Sequence, residues 1–391
     1  MLTYLSYSRL SKKQFNGFKK QGAMEIKTFT VADLGLALLS EDFWLTKTLP
    51  ITKQRALSIC HNPRAEKDDP ALLVAYQDNQ VVGYLGILPD KLFFNNADHK
   101  VGWLTGWWVD PCLATKGVGA ILLYKALNAY RDRVGVSGGS KEARNVLHAS
   151  QKFVTLAPVK GLDIRFRFNA TSAILRKFPW MKLFRVGFKI ADVMLDEIVN
   201  LRRLFWERRT HIRQRLTFEY ISSIDAETGR FIERHHQHDL TRKGKADLDW
   251  IMTYPWIVSA PQKESASRRY YFSSISARFF YLGVKVFEQN NGMVGFLMLS
   301  VRNDRMRVVY SHFENRHAPS IAAAAVYQAL AMDVSTLSLY DERLVKSVAG
   351  LRCPFWSTQS VSRGFFLSKA FAGSPLADCR LHGGDGDFAF Y

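Results

Sequence analysis

The run Val101–Tyr124, VGWLTGWWVDPCLATKGVGAILLY, constrains this chain more than any other stretch. A β-rich apolar segment stops at Pro111, crosses a turn carrying Gly117 and Gly119, and resumes with a helical pattern. Proline cannot donate to a ladder, so the strand must end there. The first N–H groups of the following helix lack intrahelical partners and sit at the positive end of its dipole, which suits an anion. Gly117 and Gly119 let a pyrophosphate approach the backbone with no Cβ in the way, and Lys116 adds a positive charge. A tight strand-to-helix turn without a ligand has the same local signature, so context must decide.

The chain around this turn reads as strand, two helices, three antiparallel strands, helix, strand, helix and two strands. From Met24 a short alternating strand leads to apolar positions Val31, Leu34, Leu38 and Leu39 on one helical face. Ala71–Tyr76 and Val81–Leu88 form a hairpin about Gln77–Gln80, and a third strand runs from His99 to Val109. A helix over Gly117–Arg131, a strand at Val134–Val136, a helix over Lys141–Phe153 and strands near Val154–Leu156 and Leu162–Phe168 follow. An antiparallel meander before the glycine turn is not the parallel unit of a dinucleotide fold. The turn also lacks the Lys-[Ser/Thr] ending of a nucleoside triphosphate loop.

Residues 169–217 change character, being helical in period, aromatic and dense in Arg and Lys. They read as a basic linker helix pair between two domains. A helix lying on an anionic membrane has the same pattern, so a peripheral membrane contact stays open. After Phe218 the order of elements repeats: strand, two short helices, a meander over Tyr281–Phe313, an alanine-rich helix over Ala318–Met332, a strand at Thr336–Leu339, a helix over Glu342–Leu351 and a strand at Arg363–Ser368. The expected fold class is therefore α+β with mixed sheets. Its expected division is a basic, disordered leader over 1–23 ahead of a start at Met24, domains over 24–168 and 218–391, and the linker between them.

A formal net charge of +19 favours an anionic ligand or surface. No recognised nucleic-acid module accompanies that charge, so nucleic acid is not the expected partner. Cys60, Cys112, Cys353 and Cys379 lie far apart, with neither zinc-type pairs nor a disulfide framework, which points to a reducing, cytoplasmic setting. No metal site is expected. His235-His236-Gln237-His238-Asp239 resembles a ligand cluster but has no second ligand pair at a typical spacing, and Gly383-Gly384-Asp385-Gly386-Asp387 lacks the spacing of a calcium loop.

Val109-Asp110-Pro111-Cys112-Leu113-Ala114-Thr115-Lys116-Gly117-Val118-Gly119-Ala120 resembles the acyl-CoA signature of the GNAT (acyl-CoA N-acyltransferase) superfamily. That signature is Val-x-Pro at a strand end, then [Arg/Gln]-x-x-Gly-x-[Gly/Ala] opening a helix. Ala114 stands where the family has Arg or Gln. The resemblance covers residues 24–168 and, more loosely, the second half, and implies two GNAT-like domains in tandem. It implies acetyl-CoA or another acyl-CoA as co-substrate, cradled by Ala114, Thr115, Lys116, Gly117, Val118, Gly119 and Ala120. Gly106, Trp107, Trp108 and Val109 would hold the pantetheine arm. Where the second half should have its cradle it reads Glu314-Asn315-Arg316-His317-Ala318-Pro319, without glycine, so that half is not expected to bind CoA.

The resemblance also implies direct attack of an acceptor amine on the thioester. Counting back from Phe153 places His148 where many members have the acid. The strand His99–Val109 has no Asp or Glu to act as base, and Asp110 reads as a turn residue, so a water-relayed path or a group from the second half stays open. Gly-Asp-Gly-Asp followed by Phe388 and Phe390 is similar to the ending of tandem GNAT-like proteins. Such tandem members imply an amino-sugar acceptor in bacterial surface-glycan synthesis. The alternatives are an aminoacyl-tRNA-dependent peptidoglycan-type transferase and a non-catalytic acyl-CoA-binding regulator.

Overall fold

The computed structural model describes residues 24–167, 171, 178–261, 269–289, 292–351, 353–374, 376 and 379–391. The expected leader, 1–23, and part of the expected linker lie outside the described residues. β1 (Glu25–Thr30) runs straight into α1 (Val31–Leu39), because Thr30 forms a capping box with Asp33: its side chain accepts from the Asp33 N–H while the Asp33 carboxylate accepts from the Thr30 N–H. After α2 (Lys53–Cys60) come β2 (Pro70–Gln77), β3 (Gln80–Phe94) and β4 (Ala97–Val109), an antiparallel meander. Then follow α3 (Val118–Ala129), β5 (Val134–Ser137), α4 (Lys141–Ser150), β6 (Phe153–Thr155) and β7 (Val159–Arg165).

The second half has β8 (Leu216–Ile221), helices Ala226–His235 and Lys245–Thr253, short strands β9 (Val258–Ser259) and β10 (Ile275–Ser276), and the meander β11 (Phe279–Glu288), β12 (Gly292–Arg302), β13 (Arg305–Phe313). Helix Ala318–Ala331, β14 (Thr336–Leu339), helix Glu342–Gly350, β15 (Ser357–Arg363) and β16 (Phe365–Ser368) complete it.

The α+β class expected from the sequence is what forms. There are two seven-stranded mixed sheets, ordered β1-β2-β3-β4-β5-β16-β6 and β8-β11-β12-β13-β14-β7-β15. The orders are equivalent position by position, and the sixth strand of each comes from the other half of the chain. β7 pairs with β14 and β15, and β16 pairs with β5 and β6. The expected strand near Leu162–Phe168 thus belongs to the second sheet, not the first; the last expected strand, Arg363–Ser368, forms as β16 but joins the first sheet, and β15 just before it, which the sequence reading did not expect, joins the second. Alternating side chains specify a strand's buried face but not which of two similar sheets it joins.

The layers follow from where apolar faces point. α3 and α4 pack on one face of the first sheet around Leu85, Leu104, Leu122 and Val136. The opposite face shares one core with α1, the second-half helices, the second sheet and the C-terminal segment, through Trp103, Trp250, Trp256, Tyr310 and Phe390. A separate core under helix Ala318–Ala331 covers the far side of the second sheet.

Arg64 binds the halves together. Its guanidinium grips Asp247 at 2.5 and 2.8 Å, reaches Asp90 at 2.8 Å, and donates to the carbonyls of Thr241 and Arg242 at 2.7 and 3.0 Å. Lys243 adds a second cation on Asp90, at 2.7 Å. Such buried charges persist only because each is paired.

Candidate functional site

The glycine turn is built as a strand end, a 3-10 turn and a helix. Asp110 accepts from the Cys112 N–H at 2.9 Å and so caps the turn Pro111–Lys116, as a turn residue should. Gly117 then adopts φ +78° with nothing within 4 Å of where a Cβ would stand. Only glycine enters this left-handed region without strain, and the space beside it is open. Val118 and Ala120 lie in the first turn of α3 with Gly119, where the unpartnered N–H groups collect. The side chains of Ala114, Thr115 and Lys116, including the charge expected of Lys116, lie outside the described residues.

Beside this turn the first sheet opens. β4 pairs with β5 in parallel only at Gly102–Val134 and Trp103–Gly135; β4 then runs on to Val109 while β5 stops at Ser137. Gly106, in the diverging part of β4, has φ +56°, and the β3–β4 register shifts between Tyr84 and Gly86 opposite it. A bulge of this kind turns backbone polar groups out of the ladder.

The C-terminal segment enters the opening. Asp387 accepts from Thr105 Oγ1 at 2.6 Å and from Ser137 Oγ, so its carboxylate bridges β4 and β5 where they part. The Tyr391 hydroxyl lies 3.3 Å from the same Thr105 oxygen and accepts from Arg55 Nη1 at 3.1 Å. Arg55 is buried against the rings of Trp256, Tyr270 and Tyr391. Burial pushes the Asp387 carboxyl above its usual range, opposed by the hydrogen bonds from Ser137 and Thr105 and by the charge of Arg55. Burial likewise raises Tyr391, and Arg55 opposes it. The second half therefore places a carboxylate beside the bulge, which β4 itself could not supply. Its sequence signal was the Gly-Asp-Gly-Asp ending; nothing local connected it to Thr105 or Ser137.

Trp107 and Trp108 project from opposite faces of β4, as alternation requires. Trp107 packs beside the start of α3, its Nε1 being 3.6 Å from where a Gly119 Cβ would stand. Trp108 stacks on Tyr271, with ring centroids 4.3 Å apart, on the face that meets the second half. His148 is exposed on α4, its ring edge-on to Phe366 at 5.8 Å, on the helix-covered side of the sheet. It and Asp387 thus flank the sheet from opposite sides.

In the second half, the turn before helix Ala318–Ala331 carries no positive-φ residue among the described residues. Within the histidine run, His235 and His236 end a helix, and Asp239 alone joins a further cluster, meeting His312 and His382 in the interior. No described helix is long and apolar enough to cross a membrane.

Residues 37–153 match the model of the Acetyltransferase (GNAT) family. Similar solved structures include a protein from Enterococcus faecalis described as a probable N-acyltransferase, at 7% identity and TM-score 0.49, with 88% of this chain and 72% of that one covered. A GCN5-related N-acetyltransferase from Anabaena variabilis has 11% identity and TM-score 0.44 over 88% of this chain and 72% of its own. N-myristoyltransferase from Saccharomyces cerevisiae, with bound myristoyl-CoA, has 10% identity and TM-score 0.45 over 88% and 82%. No curated protein matches the sequence. The matched segment contains the glycine turn, the β4 bulge, α3 and α4, so the likeness to the GNAT family falls on the part of the chain that builds this site.

Proposed function

We propose that the chain transfers an acetyl or other acyl group from acyl-CoA to an amine, with the first half holding the thioester and the second half supplying the base. The observation that carries this reading is the meeting of three features at one place: the left-handed Gly117 turn, the parting of β4 from β5, and the Asp387 carboxylate lodged in that gap. In this reading the N–H groups of the α3 N-terminus hold the pyrophosphate. Backbone groups of Gly106–Val109 hold the pantetheine arm and polarise the thioester carbonyl. Asp387 takes the proton from the attacking amine; the C–N bond forms, the C–S bond breaks, and the leaving thiolate is protonated from His148 on α4. A raised carboxyl suits a base that works near neutrality.

Within that class we propose an amino-sugar acceptor of surface-glycan synthesis. Tyr271, stacked on Trp108 and 43% exposed, offers the flat apolar surface a sugar ring prefers. The four free cysteines are consistent with a cytoplasmic location. A membrane contact is supported by helix Arg185–Thr210 and the segment before it. Leu183, Val186, Ile190, Val193, Met194, Leu201, Leu204 and Phe205 recur at helical spacing, are all exposed, and reach 91% exposure at Leu183. On a chain of net charge +19, this stripe fits a helix lying on an anionic bilayer.

One observation favours the second reading, a non-catalytic acyl-CoA-binding protein. The space lined by Arg55, Thr105, Gly106, Trp256 and Tyr270 is a cavity of about 10 Å³, too small for an acceptor. Catalysis therefore requires the strip Tyr270–Phe272 or the C-terminal segment to move. Calorimetry with acetyl-CoA and CoA, paired with thiol release against a panel of amines and amino sugars, separates the two. Binding with turnover supports the transferase, binding without turnover supports the regulator, and absence of binding overturns both. Binding of charged tRNA in place of CoA would point to the peptidoglycan-type transferase.

A further inference from the structure

Asp239, His312 and His382 come from three separate parts of the second half: the loop after helix Ala226–His235, strand β13, and the start of the C-terminal segment. Asp239 and His312 are each 1% exposed and His382 4%. His382 Nε2 lies 2.8 Å from Asp239 Oδ2, and His312 Nδ1 lies 3.8 Å from that oxygen. One ligand atom from each residue falls within 4.8 Å of the other two.

Charge pairing alone leaves this cluster unsatisfied. Both oxygens of Asp239, both ring nitrogens of His312 and Nε2 of His382 are buried without a hydrogen bond of acceptable geometry. An imidazole offers at least one donor and, when neutral, one acceptor, and proteins seldom bury both unpaired. A proton shared between Asp239 and His382 would serve one pair and still leave His312 with nothing on either side. A cation among the three would serve one ring nitrogen of each histidine and a carboxylate oxygen of Asp239 together.

We propose that Asp239, His312 and His382 form a binding site for a divalent transition-metal ion, with Zn²⁺ as the best match. Two imidazoles and one carboxylate suit a borderline ion, and the set leaves a fourth position for water or the second Asp239 oxygen. With zinc–ligand bonds of about 2.0–2.2 Å, a tetrahedral site spaces its ligand atoms about 3.4 Å apart. The separations of 2.8 and 3.8 Å to Asp239 straddle that value, and no two of the three ligand atoms are more than 4.8 Å apart. Arg380, 3.5 Å from Asp239 Oδ1, is placed to orient the carboxylate from outside the ligand set.

The ion joins the elements that position the C-terminal segment. Leu240, next to Asp239, accepts from the Phe93 N–H of β3, and Asp385, three residues beyond His382, accepts from Thr241. Filling the site would lock the segment that carries Asp387 toward β4. This consequence rests on the transferase reading; the metal site does not.

The test uses the untagged full-length protein. Metal content by plasma mass spectrometry, after growth with added zinc, iron and manganese, is expected near one ion per chain. His312→Gln and Asp239→Asn are expected to lose it while keeping wild-type far-UV circular dichroism. The stripped protein is expected to bind Co²⁺ with visible d–d absorption and to melt several degrees below the reloaded form, a difference absent from His312→Gln. No metal on isolation together with no Zn²⁺ or Co²⁺ binding by the stripped protein overturns the proposal. So does stoichiometric metal retained by both variants, which would place the ion elsewhere. Should both variants fail to fold, the cobalt spectrum of the wild type decides: imidazole nitrogen hyperfine shifts in its NMR spectrum support the site and their absence overturns it.

Discussion

The Asp387 carboxylate accepts a 2.6 Å hydrogen bond from the Thr105 hydroxyl, joining residues 282 positions apart at the mouth of the β4–β5 opening. If Asp387 is the base, Asp387→Asn should lower kcat by roughly 10²–10⁴-fold and leave the Kd for acetyl-CoA within a few-fold of wild type. Burial raises this carboxyl, so the acid limb of the wild-type pH–rate profile should lie above the ordinary carboxylate range and disappear in the variant. An Asp387→Asn enzyme with undiminished kcat would exclude the role.

The left-handed turn makes a separate prediction about binding. Gly119→Asp puts a carboxylate at the α3 N-terminus, where it competes with pyrophosphate for the same N–H groups. Acetyl-CoA affinity should fall by at least about 100-fold, an energy of about 2.7 kcal/mol. Thermal stability should change little, because a Cβ here meets only ordinary contacts at 3.6 Å. Calorimetry on the folded variant checks this, and unchanged affinity would place the phosphates elsewhere.

Arg64→Ala removes one guanidinium from two buried carboxylates. Breaking a buried network from one side costs about 3–5 kcal/mol, since Asp90 and Asp247 lose their partner without regaining water. Denaturant unfolding should show that loss. A change under about 1 kcal/mol would mean that Lys243 and solvent suffice for both.

Asp90 also gives a pH signature. Burial works against its charge, but Lys243 and Arg64 outweigh burial and hold its carboxyl below the ordinary value. A carboxyl with a depressed folded value binds fewer protons in the native state. Its stabilisation is complete above the unfolded value, near 3.9, and is lost as pH falls through the lower folded value. Stability measured from about pH 6 downward should therefore fall less steeply in Asp90→Asn than in wild type, from a lower starting point.

The apolar stripe predicts lipid binding. Leu183→Glu with Val186→Glu should abolish cosedimentation with vesicles containing phosphatidylserine. The wild type should bind these vesicles more strongly than neutral ones, and added salt should weaken the difference. The variant should keep its melting temperature, since both side chains are exposed. Equal recovery of variant and wild type in the lipid pellet would refute the contact.

Local pattern carried much of this structure. The meander strands, the turn at Pro111 and helix α3 follow from alternation, proline and helical spacing over short windows, and each lies close to its expected place. β7 and β16 do not, because Leu162 and Phe366 would fit either sheet equally well by alternation alone. The proposed base was harder still. Asp387 stands in a run of glycines that reads as turn, and its partners Thr105 and Ser137 are ordinary strand residues. Asp239 stood out in the sequence, whereas His312 and His382 were single histidines that only the folded chain brings to it.

The exchange of strands fixes an order in time. β5, already beside β4, cannot gain its second neighbour until β16 is made, since Val136 pairs with Phe366. At about 5–20 residues per second, translation takes on the order of 10–50 s to cover that interval. Throughout it the first half carries an open strand edge at β5, the kind of edge that invites wrong pairing. The same delay keeps a nascent chain that already displays the glycine turn from being finished, since Asp387 emerges later still. Truncation anywhere before β16 should leave a protein that cannot complete its first sheet, even where every strand of the second is present.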